Sequence, residues 1–155
     1  MTMFEKYMGN DKMIESLENT GVPQACGTRS DGVRLGDFIF VSGQLPINAD
    51  GTMSTGDIKE QTRLCLDHVK GVLQKAGLDL RYVLQIRIYL SDISEEAAMC
   101  EVFNEVFDAP YPARSCVGVA GLQGGAKIEI EAYAVDTRAL EILCRENSTG
   151  CASCH

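Results

Sequence analysis

Between Asp57 and Leu90 the apolar period switches once, from that of a helix to that of a strand, and this junction limits the fold more than any other feature. Ile58, Thr62, Cys65, Leu66, Val69, Val72, Leu73 and Ala76 recur at helical spacing and stop at Gly77. Asp57, with Glu60 three positions later, matches a capping box at the start of that helix. In RYVLQIRIYLSD, Leu84, Ile86, Ile88 and Leu90 then alternate with Gln85, Arg87 and Tyr89, which predicts a strand with one buried face. A one-sided helix followed at once by a one-sided strand calls for helices packed on a sheet.

The remaining elements fit this layout. VRLGDFIFVSG holds two short β-rich runs separated by Gly36-Asp37, a hairpin signal, and NADGTMSTG reads as a loop. Ser94 is placed to cap a second helix with Met99, Val102, Phe103, Val106 and Phe107 as its core stripe, and Pro110 lies just beyond it. Two further strands, in YPARSCVGVA and AKIEIEAYAV, complete the order β-β-α-β-α-β-β. The expected architecture is α+β, a mostly antiparallel sheet with two helices on one face. The 155 residues suit one domain, read as 27–136, with an N-terminal extension over 1–26 and a C-terminal extension and tail over 137–155. Phe4, Met8, Met13, Ile14 and Leu17 give the first segment a weak amphipathic pattern, and TRALEILCRE in the last reads as a short helix.

A net charge of −8 argues against nucleic acid or anionic lipid as a general partner. No apolar run reaches the roughly 20 residues that cross a bilayer, and MTMFEKYMGNDK carries no secretory pattern, so the expectation is a cytoplasmic protein. Seven cysteines, odd in number and irregularly spaced, read as free thiols of a reducing compartment.

Charge inside the last two strands marks the candidate site. Arg114, Cys116, Gly118 and Ala120 share one face of the first strand; Lys127, Glu129, Glu131 and Tyr133 share one face of the second. With GLQGG as the connecting loop, the two strands are expected to pair as an antiparallel hairpin, bringing Arg114 within reach of Glu129 or Glu131. One outcome of such pairing is a solvated cross-strand ion pair contributing about 0.2–1 kcal/mol. The other is a ligand site: Pro112 fixes the backbone near Arg114, small residues leave space beside it, and a planar guanidinium suits a carboxylate.

VSGQLP, DIKEQT, KAGL, VLQIRIYLSD, FNEVF, YPARSCVGVA and KIEIEAYAV, in that order over about residues 27–135, resemble the reactive intermediate deaminase family (Rid, YjgF-type or endoribonuclease L-PSP). The resemblance implies a chorismate-mutase-like fold, a homotrimer, and ligand clefts between subunits. It also implies hydrolysis of 2-imino and 2-enamino acids to 2-keto acids and ammonia, without metal or organic cofactor. On that pattern Arg114 holds the substrate carboxylate and Glu129 positions the attacking water. Gly43, Cys116 and Asn104 complete the pocket, the first two through their backbones. Where the family commonly has a tyrosine, this chain has Arg29, either a loop residue in solvent or a second cation favouring a dianionic or bulkier acid. A non-catalytic, small-acid-binding or chaperone-like trimer is the alternative, with ribonuclease or translation-inhibitor activity a further one.

Other features carry weaker signals. The terminal CASCH fits a haem-attachment or zinc pattern, but neither export nor a second cysteine pair accompanies it, so no metal is expected and a reduced tail is preferred. His68, between core positions Leu66 and Val69, reads as structural. Cys116 beside Arg114 invites a nucleophile reading; a small strand residue contributing backbone hydrogen bonds is preferred.

Overall fold

The computed structural model describes residues 13–18 and 27–150. In chain order the strands are β1 (Glu15–Leu17), β2 (Gly32–Leu35), β3 (Phe38–Gln44), β4 (Val83–Leu90), β5 (Ala113–Gly118) and β6 (Ile128–Val135). The helices are α1 (Ile58–Lys75), α2 (Glu96–Val106) and α3 (Arg138–Gly150). The strands form one six-stranded sheet in the order β1-β2-β3-β6-β4-β5, antiparallel except for the β4–β5 pair. The expected α+β layout is present.

α1 forms where its stripe places it. Asp57 accepts a hydrogen bond from the Glu60 N–H at 2.8 Å, all eight stripe positions are buried, and Gly77 ends the helix at φ +74°. Its buried face packs with α2 on Ile86, Ile88, Leu90, Ile128 and Ile130 as one core cluster. The Gly36 hairpin joins β2 to β3 as expected, with Gly36 at φ +58°.

Several local expectations are corrected. Ser94 does not cap α2: it lies within a short 3₁₀ turn before the helix. Asp92 caps that turn, accepting from the Ser94 N–H at 3.0 Å and from the Ser94 hydroxyl at 2.7 Å. The helix's own N-cap, Glu95, makes no side-chain cap hydrogen bond. Val106 is exposed rather than core, while Phe107, one residue past the helix, is buried. A register shift between Val83 and Gln85 turns Leu84 outward and gives its expected core place to Val83. At the described end of the weakly amphipathic N-terminal segment, residues 15–17 pair with β2 as an edge strand, with Leu17 buried; Phe4 and Met8 lie outside the described residues.

The largest correction concerns the last two strands. β5 does not pair with β6; β4 lies between them, parallel to β5 and antiparallel to β6. Parallel strands need a long crossover, and here α2 is that crossover. β5 therefore becomes the edge of the sheet, and the following loop passes the end of β4, where Ser91 N–H donates to the Lys127 carbonyl at 3.0 Å.

Gln61, which no periodicity singles out as polar core, fastens this loop. Its buried amide donates to the Ser54 and Gly56 carbonyls at 2.9 and 3.1 Å and accepts from the Lys127 N–H at 2.9 Å. His68 is similarly structural, with Nε2 2.8 Å from the Ile47 carbonyl oxygen. α3 is held at its first turn: Asp136 accepts from Arg138 and from Arg34 of β2, and these bonds hold its carboxyl far below the usual range. No helix among the described residues is long and apolar enough to cross a membrane. Removing Gln61 takes the side-chain partner from three backbone groups at once, one buried and two partly buried, so Gln61→Ala is expected to cost about 2–4 kcal/mol, read as a lowered midpoint in urea unfolding.

Candidate functional site

Register decides which charged side chains can meet. Arg114 pairs with Ile86, and Ile86 with Ala132, so Arg114 emerges on the helix-covered face. Glu129 pairs with Tyr89, between the buried Ile88 and Leu90, and so emerges on the opposite face. Within one chain the two do not share a surface, and the expected cross-strand Arg114–Glu129 approach is overturned. The insertion of β4 is the physical cause.

Each residue nevertheless sits in its own half-site. On the helix side, the Arg114 guanidinium lies over the Phe103 ring, 5.4 Å from its centroid. It borders a hollow of about 390 Å³ lined by Phe103, Asn104, Phe107, Tyr111 and Pro112. Among the described residues Arg114 makes no hydrogen bond or ion pair, so its planar fork of donors is uncommitted. Asn104 lines the same hollow from α2, and Cys116 is on the same sheet face two residues along β5. Burial, followed by the charge of Glu96, pushes the Cys116 thiol up despite the opposing effect of Arg114. A protonated, half-buried thiol packed against the core is no activated nucleophile, in keeping with the structural reading. Because β5 is the edge strand, its outward backbone groups have no strand partner among the described residues.

On the other face Glu129 meets Gly43 and Arg29. β3 bulges against β6 between Val41 and Gln44, and Gly43 lies inside the irregularity. A Cβ added at Gly43 would come within 2.0 Å of Glu129 Oε1, so the carboxylate rests on a place only glycine leaves open. Ser42 ties the preceding loop to this bulge, its N–H donating to the Asp31 carbonyl at 2.8 Å and its hydroxyl to the Ser30 carbonyl at 2.7 Å. Arg29 is thereby brought over the bulge, its Nη1 donating to the Gly43 carbonyl at 3.4 Å.

Glu129 and Glu131, equivalent in sequence, are distinct here. Glu131 accepts from the Tyr89 hydroxyl at 2.8 Å and from Arg87 at 3.3 Å, in a network that also includes Tyr133. Glu129 accepts no hydrogen bond among the described residues. Burial pushes its carboxyl up, Arg29 opposes that rise, and Glu131 adds to it. An uncommitted, half-buried carboxylate with a raised pKa is equipped to exchange protons. The signal that would have separated the two glutamates in the sequence is the alternating Arg87 and Tyr89 on the neighbouring strand.

Among the described residues no group of His, Cys, Asp and Glu side chains is arranged to hold a metal ion; Cys151, Cys154 and His155 lie outside those residues. Cys65, Cys100, Cys116 and Cys144 are free thiols.

The comparisons with known proteins agree with this fold. The family model for endoribonuclease L-PSP matches residues 20–136. The RutC family protein y4sK of Sinorhizobium fredii is 39% identical over 121 residues, covering 77% of this chain and 96% of that protein. The 2-iminobutanoate/2-iminopropanoate deaminase of Escherichia coli is 37% identical over 126 residues, covering 79% and 98%. The crystal structure of E. coli TdcF with bound serine superimposes with a TM-score of 0.71 at 38% identity, covering 81% and 98%. With the matched span and the superposition in agreement, this chain belongs to the endoribonuclease L-PSP family, the YjgF/Rid proteins.

Proposed function

We propose that the chain is a hydrolytic deaminase of 2-imino acids, acting as a homotrimer in which Arg114 of one subunit faces Glu129 of a neighbouring subunit. The observation that carries this reading is the pair of half-sites on opposite faces of one sheet, each unfinished alone. One has an uncommitted guanidinium at a hollow, the other an uncommitted carboxylate on a glycine bulge. The helix-free face also exposes Phe38, Phe40 and Val117, apolar surface of the kind that subunit contacts cover. The naming of a relative as a 2-iminobutanoate/2-iminopropanoate deaminase and of a neighbour with bound serine supports the same ligand class, a small amino-acid-derived carboxylate.

The chemistry asks little of the protein. Arg114 pairs with the substrate carboxylate through two parallel N–H bonds, with Asn104 and the Cys116 backbone fixing its orientation. Glu129 aligns a water and takes its proton as the oxygen adds to C2 of the protonated imine. Glu129 then passes that proton to the nitrogen of the resulting carbinolamine; as the C–N bond breaks and ammonia leaves, the hydroxyl oxygen becomes the keto carbonyl and gives up its proton to Glu129. A 2-enamine first takes a proton at its β-carbon to become that protonated imine. No redox step or metal-activated water is needed for an already electrophilic carbon.

Ammonia release from an imino acid generated in situ by an amino-acid oxidase is the direct test. Arg114→Ala is expected to lower kcat/KM by about 100-fold or more, since a bidentate, charge-assisted pair is lost; undiminished turnover rejects the assignment. Co-expression of Arg114→Ala with Glu129→Gln tests the shared site: random trimers regain about a quarter of the active sites if each is built from two subunits, and none if each lies in one chain. No turnover of any imine, with a keto acid still raising Tm, would favour the non-catalytic binding trimer instead.

Two further outcomes follow from Glu129. Its carboxyl titrates above the ordinary glutamate value of about 4.3, so the acid limb of kcat/KM is expected above that pH, with activity lost as Glu129 gains its proton. An acid whose folded pKa is raised stabilises the fold only once protonated, so at neutral pH its charge is a cost. Glu129→Gln is therefore expected to abolish turnover while leaving Tm at pH 7 unchanged or higher. Gly43→Ala displaces the carboxylate by the clash described, and a loss in kcat of about 100-fold is expected in the same assay.

A further inference from the structure

Arg29 adds a second cation to the Glu129 half-site, and its placement is built rather than incidental. Ser42 fastens the Ser30–Asp31 backbone to the β3 bulge, which sets the arginine beside Gly43 and hence beside the Glu129 carboxylate resting on that glycine. Among the described residues the guanidinium makes two contacts, both long: the Gly43 carbonyl at 3.4 Å and Asp31 Oδ1 at 3.6 Å. Neither is the parallel, two-bond pairing that a guanidinium makes with a well-placed carboxylate. Of five N–H donors at most two are engaged, and 40% of the side chain remains open to solvent. Its charge is felt by Glu129, whose carboxyl it pulls down against the effect of burial.

A single substrate carboxylate held by Arg114 leaves this second guanidinium without a ligand partner. An acid that brings a distal carboxylate on its side chain would satisfy both cations. It would also be shielded by Arg29 from Glu129 and Glu131, which otherwise repel a dianion on this face. We propose that Arg29 sets substrate choice by holding that distal carboxylate, so that the preferred substrates are 2-imino dicarboxylates, the imines of acidic amino acids. The inference rests on the deaminase reading above and specifies its substrate class. Such imines arise when the amine of an acidic amino acid is oxidised, so a dehydrogenation or oxidase reaction is the class of step that would supply them.

The competing role for Arg29 is purely structural, as counter-charge to the buried Asp31. The two roles separate in the ratio of kcat/KM for 2-iminosuccinate to that for 2-iminobutanoate. Each is generated in situ by an amino-acid oxidase with catalase present and followed above its uncatalysed hydrolysis. The wild-type ratio is expected to exceed one, Arg29→Gln to lower it by about 10- to 100-fold through KM more than kcat, and Arg29→Lys to recover part of it. A purely structural arginine would lower Tm and depress both substrates alike. Arg114-dependent turnover of 2-iminobutanoate with a ratio at or below one, unmoved by Arg29→Gln, overturns the substrate class and leaves the deaminase reading standing. Absence of turnover with both substrates overturns the two together.

Discussion

A parallel pair of strands cannot be closed by a tight turn, and the chain between β4 and β5 meets that requirement with α2. β5 is carried to the outside of the sheet and β4 is left between it and β6. Everything that distinguishes the candidate site follows. Arg114 is fixed on a strand edge and stacked on Phe103 of the crossover helix itself, which faces its donors to a hollow rather than to a neighbouring strand. Glu129 is fixed in the sheet interior on the opposite surface, where burial raises its pKa. An antiparallel hairpin would have joined the two charges in a modest surface ion pair; the crossover keeps both available.

The two surfaces are also unequal. α1 and α2 bury one face of the sheet into a continuous apolar core that includes Ile86, Ile88, Leu90, Ile128 and Ile130. The other face carries Arg87, Tyr89, Glu131 and Tyr133, hydrogen-bonded to one another, with Phe40 against Tyr133 at 5.2 Å between ring centroids. Such a network is rigid because its members satisfy each other. It leaves Glu129 as the unsatisfied carboxylate beside it, and the β3 bulge gives that carboxylate a floor at Gly43. A second copy of the chain bringing its Arg114 edge to this face would enclose a small anion between two guanidiniums and one acid.

Within this frame Arg29 is the residue that sets the chain apart from the pattern it resembles. Loops tolerate substitution, and a long-armed cation in a loop is usually solvated. Here the loop is pinned to the bulge through Ser42, so the substitution alters the charge of the site rather than of the surface at large. On the reading we propose, chemistry at the imine carbon and selection of the acid that carries it fall to different residues, Glu129 for the first and Arg29 for the second.

From the sequence alone, the period of each segment was sufficient for the helices and for β2 to β6, while the three-residue edge strand β1 carried no strand signal. The eight-position stripe of α1, the Gly36 hairpin and the alternation in β6 are all local, set by side-chain spacing and by glycine's access to positive φ. The ordered motifs likewise carry the family resemblance and mark Arg114, Glu129, Gly43, Cys116, Asn104 and Arg29 as candidate site residues. Strand adjacency was decided only by the tertiary structure. Alternation says which residues share a face of one strand and nothing about which strand lies next, so the hairpin it suggests puts Arg114 and Glu129 on one surface when they occupy two. The same holds for Leu84, turned outward by a bulge, and for Gln61, whose three hydrogen bonds join segments far apart in the chain. Non-local backbone pairing is the physical reason: it is chosen by the packing of the whole sheet, and no window of residues contains it.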